Sequence, residues 1–186
     1  MTEEGVGPAL DVVINSTAFE RLLESTFLSE LLQEMWFSRD EPIDVMHSTV
    51  DAFGYDLVLQ SGSLIRHVQL KARRLGGSTS HWNLAVNLQG LPSACAVLID
   101  WSPTDAGKVD LSYRYFGGSP GHPIPALGEA TPRHTRGNAE GFKGLRPGLR
   151  RVNAGRFERV QDIAELADRL FGPAVRRHQG ESSLRQ

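Results

Sequence analysis

In the stretch His67-Val68-Gln69-Leu70-Lys71-Ala72-Arg73 polar and apolar residues alternate. Strand side chains point to opposite faces in turn, so His67, Gln69, Lys71 and Arg73 share one face. Upstream, Asp56 lies in Tyr55 to Leu59, a second strand candidate joined to the first by Gln60-Ser61-Gly62-Ser63, a polar link suited to a hairpin. With Ser61-Gly62 as a two-residue turn, Gln60 pairs with Ser63, and counting back sets Asp56 opposite His67 and diagonal to Gln69. Asp56, Gln69 and Lys71 then share a face. A carboxylate, an amide oxygen and an ammonium gathered in this way match the needs of metal-assisted phosphodiester cleavage. Asp56 would hold Mg2+, an ion that favours oxygen ligands and keeps several waters, helped by the Gln69 side-chain oxygen and the Leu70 carbonyl; Mn2+ is the alternative ion. Lys71 would position or deprotonate the attacking water and offset negative charge developing on the phosphate.

The elements around this hairpin follow from periodicity. Thr17-Ala18-Phe19-Glu20 reads as a capping box, and Phe19, Leu22, Leu23, Phe27, Leu31, Leu32 and Met35 then recur at helical spacing. An amphipathic helix is predicted from about 17 to 37, ended by Arg39-Asp40-Glu41-Pro42. Strands are expected over Ile43 to Val50, Trp82 to Leu88, Ala94 to Trp101 and Val109 to Phe116. Residues 117–155 are rich in Gly, Pro and basic side chains and read as one long basic loop. A last helix over Ile163 to Phe171 stops at Gly172-Pro173. Residues 1–15 read as a flexible N-terminus, 16–172 as a single domain and 173–186 as a disordered tail.

With 186 residues, 40% of them hydrophobic, one core of ordinary size can form. The single cysteine, Cys95, excludes an internal disulfide and a multi-cysteine zinc cluster, which suits a cytoplasmic protein. No apolar run approaches the roughly 18 to 20 residues needed to span a bilayer. The net charge of −2 hides an asymmetry: residues 1–60 hold twelve acids and two Arg, whereas the remainder holds eighteen Lys or Arg against ten acids. That distribution permits a basic face for a polyanion, with solvated faces as the plain alternative. Arg73 and Arg74, which follow Lys71, and Arg150 and Arg151 in the basic loop are the candidates for contacting a nucleic-acid backbone.

Gly54-Tyr55-Asp56, a short gap and then Gln69-Leu70-Lys71 resembles the PD-(D/E)xK, restriction-endonuclease-like nuclease superfamily, in its variant with Gln at the second acidic position. The resemblance covers about residues 17–101. It implies an α/β fold with a central mixed β-sheet flanked by helices, a helix Glu completing the site, and a metal-dependent nuclease acting on DNA; it also allows a homodimer. Glu20, Glu24, Glu30 and Glu34 compete for that position. Glu20 is explained by capping, and Glu30 is favoured because its separation from Asp56 resembles the family spacing, with Glu34 in reserve. The expected catalytic set is therefore Glu30, Asp56, Gln69 and Lys71, with Asp56, Gln69 and Glu30 at the metal. Asp51 could add a carboxylate near Asp56 or merely cap a turn, and His67 could contact phosphate or serve the structure. The competing expectation is a catalytically silent nucleic-acid-binding or protein-interaction module on the same fold.

Overall fold

A computed structural model describes residues 16–50, 52–136 and 141–174. The expected N-terminus (1–15), Asp51, residues 137–140 of the basic loop and residues 175–186 of the expected tail lie outside the described residues. Helix α1 runs from Ser16–Gln33 and continues as one wider π-helical turn over Glu34–Ser38. Leu23, Phe27, Leu31 and Met35, each one turn from the next, are buried, whereas Leu22 and Leu32 are exposed. The apolar face is thus narrower than its sequence pattern. Thr17 lies inside the helix rather than capping it, which frees Glu20 from the role given to it by a capping box.

A six-stranded sheet has the order β1-β2-β3-β5-β6-β8, from β1 Asp44–His47, β2 Leu57–Ser61, β3 Leu64–Arg74, β5 Ala94–Pro103, β6 Val109–Gly117 and β8 Glu158–Arg159. Only β3 and β5 are parallel, so the sheet is mixed. The parallel pair needs a crossover, which contains β4 His81–Ala85 and a 3-10 segment over Val86–Gly90. Alternation sorts the sheet's side chains into two apolar layers. Val68, Cys95, Val97, Ile99, Tyr113 and Tyr115 meet α1 and α2, the latter Ile163–Phe171. On the opposite face Ala94, Ala96, Leu98 and Phe116 meet Trp82, Leu84, Val152 and Phe157. Both helices therefore cover one face, and a small two-stranded sheet of β4 and β7, Leu149–Asn153, covers the other.

Strand β7 falls inside the segment expected to be one loop. Its sequence Leu149-Arg150-Arg151-Val152-Asn153 has one fully buried apolar residue, Val152, and that single anchor is too little to mark a strand by periodicity. Ile124 and Leu127 of the same segment are buried in the second layer, which ties the basic stretch to the domain. Among the described residues no helix is long and apolar enough to cross a membrane.

Candidate active site

The β2–β3 hairpin turns on Gly62-Ser63, one residue later than Ser61-Gly62, so that Ser61 pairs with Leu64 and Leu57 with Val68. Gly62 has φ of +56° and Ser63 has no positive φ, which puts glycine at the first central position, where a type II′ turn requires it. The shift corrects the expected register: His67 faces Val58, and one further step sets Asp56 across from Gln69. Parity survives because both strands slide by one.

Pairing between β2 and β3 stops at Leu57 and Val68, while β3 continues to Arg74 with β5 alone as its neighbour. Asp56 occupies the point of separation. Its amide donates to the Val68 carbonyl at 2.9 Å, its carbonyl accepts from the Ser48 amide at 2.9 Å, and its Oδ2 accepts from the Leu70 amide at 2.6 Å. The carboxylate thus takes a β3 amide that no strand reaches. Gly54, two residues earlier, has φ of +80°, and a Cβ there would lie 1.9 Å from the Ala85 Cβ. Only glycine lets the chain pass so close to β4 before turning into Asp56.

Where β3 is left open, a pocket of about 300 Å³ forms. Asp56, Leu70, Lys71 and Ala72 line it from the hairpin, Glu20, Leu23 and Glu24 from α1, and Trp82 and Ile99 close it. Asp56 and Lys71 therefore meet as the sequence spacing suggests. Gln69 is not among the lining residues; it is buried, and its Oε1 has no hydrogen-bond partner.

The helix carboxylates differ from expectation. Glu20 and Glu24 are at the pocket, whereas Glu30 accepts from the Tyr113 hydroxyl at 2.7 Å and, with Glu34, lines a separate groove near Phe37 and Ile163. Helical geometry gives the reason. Six residues separate Glu24 from Glu30, a rotation of about 240° and an advance of about 9 Å, so one pocket cannot receive both. Glu34 is paired with Arg39. Chain separation from Asp56 was therefore the wrong guide; the stripe of Leu23 and Phe27, which fixes how α1 sits on the sheet, is the signal pointing to its first half.

The cationic candidates divide as well. Arg73 is committed to the structure: it pairs with the buried Asp100, donates to the Thr79 carbonyl and lies over the Trp82 ring. Arg74 is exposed and stacks over Trp101, 5.9 Å from its centroid. Arg150 donates to the carbonyls of Pro147 and Leu149, and Arg151 is exposed on β7. His67 contacts the Pro92 carbonyl and the Tyr55 ring rather than the pocket.

No group of three or more His, Cys, Asp or Glu converges to hold a metal among the described residues. A zinc centre, which wants three or four such ligands, does not fit. Magnesium, bound through one or two carboxylates with waters filling the other positions, does fit the sparse oxygen donors of Asp56 and Glu24. The Gln69 oxygen, enclosed and without a hydrogen-bond partner among the described residues, does not reach this pocket, so the expected Gln69 ligand is not part of the set. No protein-family model, curated protein or solved structure matches the chain.

Proposed function

We propose that the chain is a metal-dependent nuclease with a restriction-endonuclease-like core, hydrolysing phosphodiester bonds in DNA. The observation that carries this reading is the meeting of Asp56, Glu24 and Lys71 in one pocket where β2 parts from β3. Asp56 and Glu24 would hold Mg2+, with Mn2+ as substitute. When bound, the ion supplies Lewis-acid polarisation of the phosphodiester.

The protein's own groups do the remainder. The Leu70 amide fixes Oδ2 of Asp56, so the carboxylate needs no reordering when substrate arrives. Lys71 places a positive charge in a pocket whose other charged lining groups are carboxylates, where it attracts the phosphate, offsets the charge developing on it and orients the incoming water. Leu23, Trp82 and Ile99 give the site apolar walls, which strengthen these electrostatic effects. Arg74 and Arg151, both exposed, are the side chains suited to backbone phosphates.

The test is cleavage of labelled linear, branched and single-stranded DNA with Mg2+ or Mn2+ and with EDTA. Cutting by the wild type that needs the metal and falls roughly 100-fold or more in Lys71→Ala and Asp56→Ala is the expected result. Wild-type protein that retains DNA but cuts no substrate would instead identify a silent binding module.

A further inference from the structure

Glu24 is held through one of its two oxygens. Its Oε1 accepts from Arg21 Nη1 at 2.9 Å and lies 3.0 Å from His47 Nε2. Its Oε2 has no hydrogen bond or ion pair among the described residues. The two partners are unequal. Arg21 is two-thirds exposed, on the same helix as Glu24, and free to reorient, whereas His47 belongs to β1 and is fixed by its ladder position opposite Leu57. The next residue along β1, Ser48, donates its amide to the Asp56 carbonyl. One end of β1 therefore touches two of the three carboxylates that line the pocket: Asp56 through the backbone and Glu24 through the His47 ring.

We propose that His47 is a positioning residue that holds Glu24 beside Asp56, leaving Oε2 as the oxygen offered to a divalent cation. The inference rests on the metal-dependent reading above. A carboxylate contact with a half-exposed histidine adds little to folding stability. Hydrogen bonds that orient a ligating carboxylate, by contrast, strengthen metal binding, and their loss typically weakens it about 10- to 100-fold. Function and stability thus respond differently to the same substitution, which makes the role measurable.

The experiment is calorimetric titration of the full chain with Mn2+, for wild type, His47→Ala, His47→Gln, Glu24→Gln, Asp56→Ala and the His47→Ala/Glu24→Gln double variant, with thermal melts alongside. His47→Ala is expected to weaken Mn2+ binding about tenfold with Tm essentially unchanged. His47→Gln, which keeps a donor, recovers most of the loss, and the double variant binds no more weakly than Glu24→Gln alone. Asp56-dependent binding that His47→Ala leaves unchanged, or losses that add in the double variant, would overturn the positioning role while sparing the metal reading. Wild-type binding no tighter than that of Asp56→Ala would overturn both.

Discussion

Asp100 is the residue whose ionisation matters most to the fold around the site. It is buried within β5, where Arg73 and Arg114 both bond it. Burial alone raises its pKa, but the hydrogen bonds and charges of the two arginines outweigh that effect and hold it below the ordinary carboxylate value. A carboxyl depressed in the folded state contributes stability above its unfolded pKa of about 3.9 and loses it as pH falls through the folded value. Asp100→Asn should therefore flatten the acid limb of the stability profile below about pH 4, and at neutral pH it should cost on the order of 3 kcal/mol by stranding two guanidinium groups. Urea denaturation from pH 2 to 7 measures both effects; a wild-type acid slope retained in the variant would show that Asp100 does not set it. Asp100 was not read as structural from the sequence because Ala94 to Trp101 looks like a plain apolar strand, and nothing in the chain announces that Arg73 leans away from the phosphate role to meet it. That Asp56 and Lys71 line one pocket is legible because alternation along one strand and the parity of a short hairpin need no knowledge of the rest of the fold.

At the scale of elements, the site is a product of strand length. Strand β3 outruns β2, Asp56 fills the vacated ladder position, and α1 lies along the gap. The turn into Asp56 depends on Gly54, whose positive φ and close approach to Ala85 leave no room for a side chain. Gly54→Ala is expected to lower stability by roughly 1–3 kcal/mol and to reduce cleavage together with it. Chemical denaturation and the DNA assay report the two effects, and a variant as stable as wild type would show that the turn tolerates a Cβ. Sequence periodicity marked α1, β3, β5, β6 and α2 because each carries several apolar residues at one spacing. It missed β7, whose partner β4 lies far back in the chain, and it could not choose among four helix glutamates. That choice depends on the rotation of α1 about its axis, which packing sets through Leu23, Phe27, Leu31 and Met35.

Across the whole molecule, two buried arginines anchor the closing helix, Arg66 to the sheet and Arg39 to the end of the first helix. Arg66, fully buried, donates to the Tyr115 hydroxyl, Ser93 Oγ and the carbonyls of Gly118 and Arg169, so strand, loop and α2 share one cation. Arg39, at the end of the π-helical turn, reaches the carbonyls of Ala164 and Gly172 and the Asp168 carboxylate. Arg66→Ala removes a buried side chain and leaves several oxygens without a donor, with an expected cost on the order of 3 kcal/mol or more. Equilibrium unfolding within 1 kcal/mol of wild type would refute that assignment. Neither arginine can be placed from the chain, since most of their partners are brought to them from distant segments by tertiary folding.

The first half of α1, rather than its second half, completes the pocket with Asp56 and Lys71. Metal-dependent DNA cleavage by Glu24→Gln, compared directly with Glu30→Gln, tests it in one measurement. A loss of roughly 10- to 100-fold for Glu24→Gln with near wild-type cutting for Glu30→Gln is expected; the reverse order would place the second half of α1 at the site instead.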